Sequence, residues 1–94
     1  MAQFLALHTI DPRGFTSEAQ PGIIKACAEA FTPETYCVAS WVSGPAGKIA
    51  CLWEAPSEQA VVDVIAKIAL FPVDGVYPTM AIDWAEMKKQ MAGG

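Results

Sequence analysis

Tyr36 to Ser57, YCVASWVSGPAGKIACLWEAPS, decides the fold. Tyr36–Val42 and Lys48–Glu54 are rich in β-branched, aromatic and small apolar residues, which suit a pleated, half-buried surface. Between them stands Ser43-Gly44-Pro45-Ala46-Gly47. Glycine supplies positive φ without steric cost, and proline presets its own φ and removes a ladder donor, so this segment reverses the chain. So short a link makes the two strands antiparallel neighbours. Strict alternation puts Trp41 on one face with Cys37 and Ala39, and Val38, Ser40 and Val42 on the other. It likewise sets Trp53, Ile49 and Cys51 against Ala50 and Leu52. Both faces read as apolar, so both are expected to be covered: one by the chain's own helices, the other by a second copy.

Upstream, Gln3–Ile10 reads as a strand with Phe4, Ala6, His8 and Ile10 on one face and Leu5 and Leu7 on the other. Asp11-Pro12-Arg13-Gly14 is a turn. Thr16 or Ser17 is placed to cap a helix that starts late, near Pro21. Ile24, Cys27 and Phe31 give that helix one buried stripe. Thr32-Pro33 ends it, because a residue before proline avoids the α region. Downstream, Ser57 caps a helix whose apolar stripe is Val61, Val64, Ile65 and Ile68. Phe71-Pro72-Val73-Asp74-Gly75 breaks it. Val76–Ile82 is a last strand that Pro78 places at an edge or bends. Asp83-Trp84-Ala85-Glu86 then opens a tail helix. The order β-α-β-β-α-β predicts an α+β, ferredoxin-like split βαβ: an antiparallel sheet with two helices on one face, plus a short C-terminal helix. Residues 1–94 are expected to form a single domain, with 83–94 as its tail.

Composition sharpens the dimer expectation. Hydrophobic residues make up 53% and charged residues 17% of the 94-residue chain, against about 45–50% and about 25% in ordinary domains. Excess apolar surface on so small a chain favours a homodimer, a dimeric α+β barrel-like assembly. The net charge of −4 and the lack of a basic run argue against nucleic acid. No apolar run reaches the roughly 20 residues needed to cross a bilayer, and the N-terminus lacks the marks of a secretory signal. Three cysteines without a CxxC spacing argue for free thiols, and the chain is expected to be cytoplasmic.

Cys51-Leu52-Trp53-Glu54-Ala55-Pro56-Ser57, then a helix, then Phe71-Pro72-Val73-Asp74, resembles the signature of a family of small bacterial proteins. Ser40-Trp41-Val42 and Phe4–Leu7 resemble its second and first strands, so the resemblance covers most of residues 3–82. The family is known chiefly as a domain of unknown function with a dimeric ferredoxin-like fold, and it includes an actinobacterial nickel-binding protein. The resemblance therefore implies a homodimer and nickel as the metal, without a residue-by-residue ligand set. The chain departs from it at Leu7-His8, where many members carry an acidic-basic pair, and after residue 82.

Candidate chemistry is sparse. His8, the single histidine, could ligate a metal as neutral imidazole or act as a base. Alternatively it is a satisfied strand histidine. Cys51 offers a thiolate suited to a borderline-soft ion, or is a small buried hydrophobe. Cys27 and Cys37 read as packing. Whether His8 and Cys51 share a face depends on strand register. Trp41, Trp53 and Tyr77, with Tyr36 and Met80, could line a ligand pocket or simply pack in core and interface. Asp83 and Glu86 read as helix caps. Phosphate-loop, dinucleotide, nucleophile-elbow and zincin motifs are absent. The expectation is a homodimer that binds a metal ion or small molecule rather than a defined enzyme. The alternatives are a cofactor-free enzyme, similar to dimeric α+β barrel monooxygenases or cyclases, using His8 as catalytic base in an aromatic pocket, and an accessory dimer without a site.

Overall fold

The computed structural model describes residues 2–14, 16–70 and 72–93. Phe71, the first residue of the Phe-Pro-Val-Asp segment, lies outside them. The hairpin forms as read, from β2 (Tyr36–Ser43) and β3 (Lys48–Ala55). Its turn closes through Gly47, whose N–H donates to the Gly44 carbonyl at 3.1 Å and whose own carbonyl accepts from Ile10 N–H at 2.8 Å. Gly47 has φ +66°, and a Cβ there would stand 2.6 Å from the Ile10 carbonyl oxygen. Only glycine fits that conformation and that approach.

The other elements are β1 (Ala2–Thr9), α1 (Gln20–Ala30), α2 (Glu58–Ile68), β4 (Gly75–Thr79) and α3 (Trp84–Gly93), with a 3₁₀ turn at Pro12–Gly14. The four strands form one antiparallel sheet in the order β2-β3-β1-β4. This is the ferredoxin-like α+β fold, βαββαβ plus a C-terminal helix. β4 is an edge strand, as Pro78 requires, and ends at Thr79, short of the expected Ile82.

Register sorts the residues onto two faces. Phe4 pairs with Trp53, Ala6 with Cys51 and His8 with Ile49. These point toward α2, whose Val61, Val64 and Ile65 complete the core with Ala55. Ser57 caps α2, its hydroxyl accepting from Ala60 N–H at 3.2 Å. At the far end Ala69 takes a left-handed conformation, φ 55°, and its N–H closes on the Ile65 carbonyl. The opposite face carries Leu5 beside Leu52 and Tyr77, and Leu7 beside Ala50. Trp41 stands next to Ala50 there and is 57% exposed.

Three expectations are corrected. A β-bulge between Cys37 and Ala39 breaks the alternation of β2. Cys37 therefore joins Ser40 and Val42 on the helix side, and Trp41 keeps Ala39 but loses Cys37. Helix α1 buries none of its residues, and Ile24 of the expected stripe is 66% exposed. The cause is that α1 leans on α2 and leaves a gap over β2. Its N-cap is Ala19, with no side-chain bond; Thr16 instead caps the preceding turn by accepting from Ala19 N–H at 3.2 Å. Helix α3 is capped by Asp83, which accepts from Glu86 N–H at 3.0 Å. Exposed along its length, α3 helps stretch the radius of gyration to 14.7 Å, against about 12.4 Å for a compact domain of this length.

Candidate ligand cleft

The gap under α1 is a cleft of about 440 Å³. Ile23 and Ile24 of α1, with Phe31 just past its end, face Val42 of β2 and Ile49 of β3 across it. Most ligand sites in proteins fall between about 300 and 1,000 Å³ and are walled by apolar side chains with a few polar groups. Its Ser40, with Cys27, Cys37 and Cys51, also lines a separate chamber of about 60 Å³, which His8 and Trp53 help to line.

Each is placed by a specific element. Trp53 is 3% exposed on β3, and Phe31 meets it edge to face, with ring centroids 5.4 Å apart at 81°. That arrangement suits the aromatic quadrupoles. Its indole Nε1–H is buried and has no hydrogen-bond partner. A donor in that condition costs about 1–3 kcal/mol, which an acceptor brought by a ligand would recover. His8, 3% exposed near the end of β1, lies 2.9 Å through Nδ1 from the Pro72 carbonyl. A carbonyl only accepts, so Nδ1 carries the proton and fixes the ring.

Ser40 sits between two sulfurs. Its Oγ donates to Cys51 Sγ at 3.2 Å and lies 3.4 Å from Cys37 Sγ, while Cys37 also donates to the Ala39 carbonyl at 3.3 Å. Cys37 is pulled down to about 6, chiefly by the hydrogen bond from Cys51 and also by Ser40, with burial opposing. Cys51 is pushed up by the same contact with Cys37 and by burial. The pair thus gives up one proton readily and holds the other. Burial, with the Cys37 charge behind it, also raises the Cys27 thiol above its ordinary value.

The sequence candidates separate accordingly. His8 and Cys51 share a face and line one chamber. Trp53 lines it too, whereas Trp41 and Tyr77 lie on the opposite face of the sheet. Tyr36 is also on that opposite face, where its hydroxyl donates to Glu54, and Met80 is 77% exposed. Cys37, read as packing from the sequence, and Ser40, given no chemical role there, line both cavities. Alternation put Cys37 on the wrong face, and only knowledge of the bulge could have moved it. Among the described residues no three or more His, Cys, Asp or Glu side chains converge well enough to hold a metal ion. As arranged, the residues do not fit the nickel that the family resemblance implies. No described helix is long and apolar enough to cross a membrane.

No protein-family profile matches the chain. No curated protein matches it by sequence. Among solved structures it is similar to SCO4226 from Streptomyces coelicolor A3(2), with a TM-score of 0.71 and 24% identity over 87% of this chain and 100% of that one. That likeness supports the ferredoxin-like fold.

Proposed function

We propose that this chain binds a small, mostly apolar molecule carrying a hydrogen-bond acceptor, in the cleft between α1 and the β2–β3 hairpin. The observation that carries the reading is the apolar cleft itself, about 440 Å³, which shares Cys27, Phe31, Cys37, Ser40 and Cys51 with a small chamber that Trp53, its buried indole N–H without a partner, helps to line. Apolar walls supply affinity in proportion to the area they cover, and the lone donor supplies orientation.

The single 1–94 domain acts as a cytoplasmic homodimer in this reading. Trp41 and Tyr77, 57% and 51% exposed on the face away from the helices, support a second copy as its cover. The exposed Trp84, Met87 and Met91 of α3 support the tail as an arm laid on the partner. A soft metal ion such as nickel is the second reading. It is favoured by three thiols and His8 around one chamber, and it requires those side chains to move together.

Decanoate, titrated calorimetrically, tests the first reading. Saturable binding at one molecule per chain is expected. Ile24→Arg, on the cleft wall, should abolish it, and Trp41→Arg should leave it intact while shifting sedimentation toward a single chain. Nickel binding that is lost in His8→Ala or Cys51→Ser, with no decanoate binding, would replace the first reading by the second.

A further inference from the structure

The cleft reading accounts for the apolar walls and the indole, but not for two thiols joined by a hydroxyl. The geometry points to a peroxide-reactive dithiol, Cys37 and Cys51 coupled through Ser40, whose oxidant is an organic hydroperoxide seated in the apolar cleft. This inference rests on the proposed ligand site and names the chemical class it receives.

The bulge is the device that builds the site. Without it Cys37 and Ser40, three positions apart on one strand, would face opposite ways. The extra residue between Cys37 and Ala39 turns Cys37 onto the face of Ser40 and its cross-strand neighbour Cys51. Bulges commonly re-aim a side chain beside a working site. One hydroxyl then contacts both sulfurs, at 3.4 and 3.2 Å. Closure into a disulfide therefore needs approach of the sulfurs rather than a change of strand register. Ser40 is exposed, so the cleft brings an oxidant to the pair. Cys27 lies across the chamber on α1.

The chemistry balances. The Cys37 thiolate attacks the outer oxygen of the hydroperoxide. The S–O bond forms, the O–O bond breaks, and the leaving alkoxide takes up the proton that Cys37 gave to solvent, becoming an alcohol. Cys37 is left as a sulfenic acid. Cys51 sulfur then attacks Cys37 sulfur; the S–S bond forms and the S–O bond breaks. Hydroxide leaves with the Cys51 proton as water. The two thiols lose two electrons, and the hydroperoxide gains them. The neighbouring Cys51 thiol lowers Cys37 below an ordinary thiol, toward the thiolate the attack requires.

The test uses the reduced full chain and cumene hydroperoxide, read by intact mass and peptide mapping. The expected product has lost two hydrogens, carries a Cys37–Cys51 link within one chain, and keeps Cys27 as a thiol. Cys51→Ser should stop at a Cys37 sulfenic acid trapped by dimedone. Ser40→Ala should move the midpoint of the pH–rate profile upward from about 6. Cumene hydroperoxide should react at least about tenfold faster than hydrogen peroxide, because the cleft walls bury its apolar group. Oxidation of Cys27 as fast as Cys37, or equal rates for the two peroxides, overturns the inference. Decanoate binding to Cys37→Ser reads the cleft separately. Retained binding beside an inert wild-type Cys37 refutes the dithiol and leaves the ligand site standing; absent binding refutes the ligand site itself.

Discussion

Trp53→Phe sets two opposing energies against each other at one buried position. The smaller ring gives up roughly 40 Å² of apolar contact, worth about 1 kcal/mol at about 25 cal/mol per Å². It also leaves roughly 40 Å³ unfilled, worth about 1 kcal/mol more at about 24 cal/mol per Å³. Against that loss of about 2 kcal/mol stands the removal of an indole N–H that is buried without a partner, a relief of about 1–3 kcal/mol. The net change in unfolding free energy should lie within about 1 kcal/mol of zero, unusually mild for a tryptophan 3% exposed. Urea denaturation followed by far-UV circular dichroism measures it without relying on the altered fluorophore. The same substitution removes the only orienting donor assigned to the ligand. Decanoate binding should therefore weaken about 10- to 100-fold, the equivalent of one hydrogen bond to a charged acceptor. Toluene, which offers no acceptor, should bind unchanged. A cost above about 3 kcal/mol with decanoate affinity intact would show that the indole is satisfied within the core and that the reasoning fails.

Val61→Ala, at a side chain with no exposed surface between α2 and the sheet, should cost about 2–3 kcal/mol by loss of two methyl groups and the cavity they leave, read as a fall in the urea midpoint. Ala69→Gly should instead raise stability by about 1 kcal/mol, because glycine takes the left-handed C-cap that alanine holds at φ 55° under strain. Stability should also respond to pH through the thiol pair. Cys37 is lowered to about 6 from an ordinary thiol value of 9.0, so between those limits the unfolded chain binds more protons and stability rises with pH; it is lost as pH falls through about 6. Cys51 is raised, so above 9.0 the folded chain keeps a proton the unfolded chain has released, and stability falls. The wild-type minus Cys37→Ser difference should trace that dome.

The fold was legible because punctuation and periodicity agreed. Gly47 marks the hairpin, Ser57 opens α2, Pro78 marks the edge, and the stripe Val61, Val64, Ile65 faces the sheet as its spacing requires. The site was half legible. His8 and Cys51 were chosen for their chemistry, and the register that joins them lies in the pairing of β1 with β3, which no local pattern encodes. Cys37 was hidden by one extra residue in β2, since alternation has no term for a bulge. Ile24 was misread for a different reason. Spacing says which residues share a helical face, not how closely that face approaches the sheet, and here the space between them is the cleft.

Nitrogen–proton NMR spectra recorded while decanoate is added test the ligand site most directly. The Trp53 indole N–H should move downfield as it gains an acceptor, with the amides of Ile23, Cys27, Cys37 and Ser40 shifting alongside it. Shifts confined to Leu5, Leu7, Trp41 and Tyr77, on the other face of the sheet, would contradict a cleft beneath α1.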